Sequence, residues 1–252
     1  MSVAASVPLT GGAELWLPAA LVTLAAGYVQ GFTGMGFAVV STPLLILILG
    51  QPHPVVMLSL LLGSVLGAAV LVETRKSLNL RRVWPLILGA VLGTPLGVLV
   101  LSHTNPRALT VFIAITTLIT AAVGFVRLPK PVRYERSAVS IAGVLGGFLN
   151  GATSIGGPPP ALVVSMQRWE ISEGRSALTV FNLTSYLIAL ATGMTSTDAG
   201  FVVRGVGLLP LAVAGGVLGA WSVRRVPPLA FRYALFSTIS LAGVAALVSA
   251  IW

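Results

Sequence analysis

Three observations predict an all-α integral membrane protein. They also predict two inverted-topology repeats, each a broken or re-entrant helix hairpin plus three transmembrane helices. First, the 252 residues are 56% hydrophobic and 8% charged, where a soluble domain carries about a quarter charged residues; the mean hydropathy is +0.98. Second, a glycine-rich polar interruption occurs twice inside apolar runs, as Gly27-Tyr28-Val29-Gln30-Gly31-Phe32-Thr33-Gly34-Met35-Gly36 and as Gly147-Phe148-Leu149-Asn150-Gly151-Ala152-Thr153-Ser154-Ile155-Gly156. Three glycines and one threonine coincide, and Gln30 is matched by the related amide Asn150. Third, nearly all the basic residues fall in short loops that can share one side of a bilayer.

The elements follow in chain order. The first apolar run reaches from Leu15 to Leu49. At ~1.5 Å per residue against a hydrocarbon core of ~30 Å it is too long for one crossing and barely long enough for two. It reads as a hairpin broken at Gly31–Phe37, either re-entrant or two short spans. After the turn Gln51-Pro52-His53-Pro54 come spans at Pro54–Val72, Val83–Ser102 and Ala108–Val126. Asn105 is placed to cap the last of these, with Pro106 at its first position. Repeat one thus covers 15–126, and a basic linker with two prolines covers 127–136. Repeat two, 137–252, starts with a hairpin from Ser137 to Met166. Its arms, Ala138–Leu149 and Pro159–Gln167, read as half-helices of about half a bilayer each. Spans at Ser176–Met194, Phe201–Val223 and Leu229–Trp252 complete it. Outside the hairpins Gly93, Gly97 and Pro106 correspond to Gly215, Gly219 and Pro228. The whole is one membrane domain.

Orientation follows from charge. If each hairpin returns to the side it entered from, the loops at 73–82, 127–136, 167–175 and 224–232 share one side and hold 13 of the 15 Lys and Arg. If each hairpin is a single broken crossing, the split becomes 9 to 6. The positive-inside rule selects the first arrangement, with those loops cytoplasmic and both termini extracytoplasmic. Residues 1–14 carry no Lys or Arg, so no secretory leader is expected and the first apolar segment stays. Each half then makes an odd number of crossings, which inverts one relative to the other. Many secondary transporters are built this way, with sites where broken helices meet near the midplane.

The breaks supply the candidate binding residues: Gln30, Gly31, Thr33, Gly34, Gly36, Ser41 and Thr42 from the first hairpin, and Asn150, Gly151, Thr153, Ser154, Gly156 and Gly157 from the second. Asn182 joins them from a later span, where a helix-to-helix hydrogen bond competes with a ligand contact. Pro158-Pro159-Pro160 restarts the helix after the second break, and Pro43 plays a looser version of that part after the first. Two helix N-termini meeting from opposite sides favour an anion. Selectivity would come from hydrogen bonds and size, since the only arginines inside the expected spans, Arg204 and Arg232, lie near span ends and away from the breaks in the chain. Thr33 and Thr153 are expected close together. Small residues four apart elsewhere (Gly63 and Gly67; Gly89, Gly93 and Gly97; Gly143 and Gly147; Gly215 and Gly219) read as helix packing, as do Tyr28 and Phe148.

The residue types also exclude functions. All six acidic residues sit at or beyond span ends, which leaves no intramembrane carboxylate for a proton relay. There is no zinc motif, nucleophile elbow or Walker loop. No enzyme, catalytic residue, cofactor or metal is expected. His53 and His103 lie in turns. The net charge of +9 has no aromatic-interleaved basic face, so nucleic acid is not a partner. The absence of cysteine excludes disulfides. The expected partners are a small anionic substrate and the lipid bilayer, with a homo-oligomer left open.

The duplicated breaks, G-F-T-G-M-G-F followed by S-T-P-L-L, and G-A-T-S-I-G-G-P-P-P, resemble those of the sulfite exporter TauE/SafE family of membrane permeases. The resemblance covers nearly the whole chain. It implies transport of small sulfur-containing anions, sulfite or organosulfonates, across the bacterial inner membrane, most naturally outward. The family's glycine motifs fall on Gly31, Gly34 and Gly36 and on Gly151, Gly156 and Gly157. Phe37 departs from the pattern, since the first motif often carries another glycine there. Two alternatives stand beside this expectation: an ion-coupled importer of a small solute, and a non-transporting membrane scaffold or assembly factor.

Overall fold

The computed structural model describes residues 13–125, 133–193, 199–222, 225 and 228–251. These residues are mainly helical, without a strand. In chain order they form α1 (Ala13–Thr33), α2 (Phe37–Leu49), α3 (Pro52–Thr74), a short 3-10 turn (Arg75–Ser77), α4 (Leu80–His103), α5 (Pro106–Phe125) and α6 (Glu135–Thr153). Then follow α7 (Pro158–Met166), α8 (Ile171–Gly193), α9 (Ala199–Val206), α10 (Leu209–Ser222) and α11 (Pro228–Ile251). Five of them, α1, α3, α4, α5 and α8, are long and apolar enough to cross a membrane, and the pair α9–α10 would make a sixth. Leu88, Leu92 and Leu99 of α4 and Leu17 and Leu21 of α1 are exposed apolar side chains. A surface of this kind suits lipid and is costly in water.

Two helix pairs pack backbone to backbone, and glycine is the reason. A Cβ at Gly27 or Gly31 of α1 would lie 2.2 Å from the Ala212 carbonyl oxygen or 1.9 Å from that of Gly216, both on α10. In return, a Cβ at Gly215 or Gly219 would lie 2.1 Å from the Leu24 or Tyr28 carbonyl oxygen. The α4–α6 pair repeats the pattern. A Cβ at Gly93 or Gly97 would lie 2.1 or 2.0 Å from the carbonyl oxygens of Val144 and Phe148, and one at Gly151 would lie 2.2 Å from that of Thr94. Approach this close is how small residues bind membrane helices together. Gly67 differs, because nothing lies within 4 Å of a Cβ there. Tyr28 also anchors its pair, its hydroxyl accepting from Ser222 at 2.6 Å.

Several boundaries differ from the sequence reading. The first arm of the second hairpin is α6, 19 residues starting at Glu135, rather than the half-helix Ala138–Leu149. Its contact with α4 runs the length of the glycine face and holds that whole stretch helical. The second arm, α7, is the short one, with 9 residues. Pro43 lies inside α2, so it does not restart the chain after the break. The expected span Phe201–Val223 divides into α9 and α10, bent by 41°. Pro210 explains the bend, because its ring removes the N–H and crowds the preceding turn. Gly207 and Leu208 close that corner by donating to the Arg204 and Gly205 carbonyls at 3.1 and 2.9 Å. The α5 start agrees with the sequence: Asn105 Oδ1 accepts from the Ala108 N–H at 2.8 Å. Residues 127–132 of the linker, including Pro129 and Pro131, lie outside the described residues, as do Met194, Val223, Arg224 and Trp252 from the ends of expected spans and loops.

Arg82 ties three elements together where α4, α6 and α8 begin. Its Nε donates to Glu135 at 2.6 Å and its Nη1 to Glu173 at 3.2 Å. Its guanidinium also stacks 4.3 Å over the Trp169 ring, while the Trp169 indole donates to Glu135 at 2.8 Å. The hydrogen bond from Arg82 holds the Glu135 carboxyl below its usual value of 4.5, against the opposing pull of burial.

Candidate functional site

The two breaks are closed by closely similar bonds, with the same threonine bonds and an amide that catches an N–H seven residues on in the first and six in the second. In the first, Thr33 Oγ1 donates to the Val29 carbonyl at 2.8 Å and accepts from the Met35 N–H at 3.2 Å. Gln30 Oε1 accepts from the Phe37 N–H at 3.0 Å, which is where α2 starts. In the second, Thr153 Oγ1 donates to the Leu149 carbonyl at 2.8 Å and accepts from the Ile155 N–H at 3.2 Å. Asn150 Oδ1 accepts from the Gly156 N–H at 2.6 Å. The threonines turn the chain and the amides catch it as it comes back. Buried backbone groups must find partners, and here the side chains supply them.

The backbone at the turns explains two glycines. Gly34 has φ 82° and Gly36 φ 114°, conformations that cost little only without a Cβ. In the second break Ser154, at φ 62°, takes the matching left-handed place. Gly156 answers to space instead, since a Cβ there would lie 1.9 Å from the Gly146 carbonyl oxygen. Gly31 and Gly151 sit a turn before the breaks, in the α1–α10 and α4–α6 contacts.

The two breaks meet. Thr42 Oγ1 and Ser154 Oγ, both buried, are 2.6 Å apart. A Cβ on Gly157 would lie 3.0 Å from Met35 Cε. Thr33 and Thr153 each bond to the backbone of their own hairpin, and the hydrogen-bonded link between the hairpins runs through Thr42 and Ser154. Ser41 turns away to Ser59 of α3, at 3.2 Å. Beside the junction lies a cavity of about 520 Å³, lined by Thr33 and Gly36 from the first hairpin, Pro158 and Ser165 from the second, and residues of α5 and α11.

The donors are distributed unequally. No protein acceptor is found among the described residues for the N–H groups of Gly36, Ala38 and Val39, at the positive end of α2. The start of α7 offers far less, because Pro158, Pro159 and Pro160 carry no N–H. The first break is therefore the better place for an anion.

One face of α8 lies along both breaks. Asn182 Oδ1 accepts from Asn150 Nδ2 at 3.1 Å. One turn earlier Thr179 Oγ1 donates to the Gly34 carbonyl at 3.2 Å. Another turn earlier Arg175 Nη2 reaches the Gly31 carbonyl at 3.3 Å, and its side chain lies over Gly34. The sequence reading found Asn182 but missed Thr179 and Arg175. It assigned Arg175 to a loop, yet Arg175 is inside the candidate span Ile171–Gly193. The signal was present: Arg175, Thr179 and Asn182 share a helical face by spacing. His53 and His103 have structural partners, the Thr104 and Leu99 carbonyls, at 3.1 and 2.9 Å.

A family model, described as sulfite exporter TauE/SafE, matches residues 19–246, a stretch that contains both breaks. The chain belongs to the sulfite exporter TauE/SafE family. Membership implies a multi-pass membrane transporter of sulfur anions. No curated protein and no solved structure matches the chain.

Proposed function

We propose that this TauE/SafE chain is a permease that exports small sulfur-containing oxyanions, of the sulfite or organosulfonate class, across the bacterial inner membrane. The observation that carries the reading is the pair of similarly bonded breaks joined through Thr42 and Ser154. Their paired closures, and the matching glycine contacts of α1–α10 and α4–α6, support two copies of one unit in inverted orientation. The basic loops then face the cytoplasm and both termini face outward. The substrate would sit at the first break, on the free N–H groups of Gly36, Ala38 and Val39, with Thr33, Thr42, Ser154 and Asn182 around it.

Energetics favour the outward direction. Expelling one negative charge from a negative interior gains ~2.3 kcal/mol per 100 mV, so no coupling ion is required. Among the described residues no acidic side chain has a hydrogen bond to either break, and Glu73 reaches the first only through Arg175. The test is flux of radiolabelled sulfite, and in parallel methanesulfonate, in liposomes carrying the purified protein. Flux above empty liposomes, accelerated by a membrane potential negative on the substrate side, is expected. Equal flux with and without protein would sink the reading, and flux that demands a proton or sodium gradient would replace export by coupled import.

A further inference from the structure

We infer that Arg175 is the fixed cation of the anion site and sets its affinity. This inference rests on the transport reading above and names a residue for it. Arg175 is the fifth residue of α8, and its side chain runs inward along the protein, 22% exposed. Its hydrocarbon stem and Nε occupy the space over Gly34, where a Cβ would come within 2.5 Å of Cγ and Nε. That position, with φ 82° and a neighbour this close, admits only glycine. The stem thus lies directly on the backbone turn that leads to the free N–H groups of Gly36, Ala38 and Val39.

The guanidinium is only loosely committed. Nη1 and Nη2 reach the half-exposed carboxylate of Glu73 at 3.3 and 3.4 Å, longer than a well-made charge-assisted bond of about 2.7–2.9 Å. Nη2 shares itself with the Gly31 carbonyl, and Nε is buried with no partner. An arginine left with a buried unpaired donor beside a turn of uncommitted N–H groups is poised for an oxyanion, whose planar edge or trigonal face matches its donor fork. Glu73 acts as the stand-in anion that neutralises the charge until substrate arrives.

Among the described residues the second break has no such cation. At the spacing that relates Thr33 to Thr153, the residue matching Arg175 is Val55, an apolar side chain with 0% exposure. The two halves therefore share their polar closures but not their charge, and the site is lopsided toward the first break. Along α8 the polar side chains of Arg175, Thr179 and Asn182 then form a row from the charged end to the amide pair at the second break.

The test is the concentration dependence of sulfite flux in liposomes for the wild type, Arg175→Gln, Arg175→Lys and Glu73→Gln, with thermal unfolding of each protein as control. The expected result is a KM raised about tenfold or more in Arg175→Gln, the size of one lost charge-assisted hydrogen bond. The lysine variant should recover part of that loss, and Glu73→Gln should lower KM, with unfolding temperatures near that of the wild type. An unchanged KM in Arg175→Gln overturns the inference. So does a loss in that variant that tracks its unfolding temperature while Glu73→Gln leaves KM unchanged. A wild type without flux overturns the transport reading instead, which keeps the two failures distinct.

Discussion

At the scale of single residues, the breaks are governed by which side chain can satisfy a backbone group left over by the turn. Gln30 and Asn150 each take an N–H that would otherwise be buried without a partner. Asn150→Ala is expected to cost about 1–3 kcal/mol through the orphaned Gly156 N–H, measured by thermal unfolding in detergent. The glycines divide into two kinds by what surrounds them. Gly151→Ala drives a methyl group into the Thr94 carbonyl, and a loss of about 1–3 kcal/mol is expected from overpacking. Gly67→Ala meets open space within a helix and should stabilise by about 0.5–1 kcal/mol. A Gly67→Ala protein that unfolds as early as Gly151→Ala would show that close approach is not what selects glycine here. The threonines and amides of the breaks were legible from duplication alone. Arg175 was legible only as a member of the α8 face it shares with Thr179 and Asn182; a charged residue near a span end normally turns outward to water, and its neighbours in the fold reveal that it turns inward over Gly34.

At the scale of elements, the sequence located the helices well and their breaks partly. Boundaries set by local chemistry were readable, as at Asn105 and Pro106. Boundaries set by partners were not. The 19-residue α6 is held by the glycine face of α4, a contact that no count along α6 itself reveals. Pro43 has the appearance of a helix start, yet the Gln30–Phe37 bond starts α2 earlier. The bend at Pro210 was readable from its own residue type and was missed inside a run of favourable hydropathy. The Arg82 cluster yields a pH-dependent expectation at this scale. Because Arg82 depresses the Glu135 carboxyl, its contribution is complete above the ordinary value of 4.5 and is lost as the pH falls through the lowered folded value. Acidification should therefore loosen the tie between α4, α6 and α8, read as a change in Trp169 fluorescence. In Glu135→Gln that transition should be missing; an identical titration in both proteins would remove Glu135 from the tie.

At the scale of the whole molecule, polar residues of two distant stretches converge at one place while the outward faces of α1 and α4 carry exposed apolar side chains. Thr42 and Ser154 are far apart in the chain, and their 2.6 Å contact joins hairpins that belong to different halves. In the proposed site the first half would supply the free N–H groups and the second half the polar face of α8. Family membership gives the class of cargo, and the proposed site draws on both halves of the chain. The most direct measurement is a double-mutant cycle on sulfite flux in liposomes, using Thr42→Val, Ser154→Ala and the pair together. If the breaks form one site, the wild type transports, each single variant loses flux, and the pair loses no more than the worse single variant. Losses that simply multiply, or a wild type no faster than empty liposomes, would contradict the account.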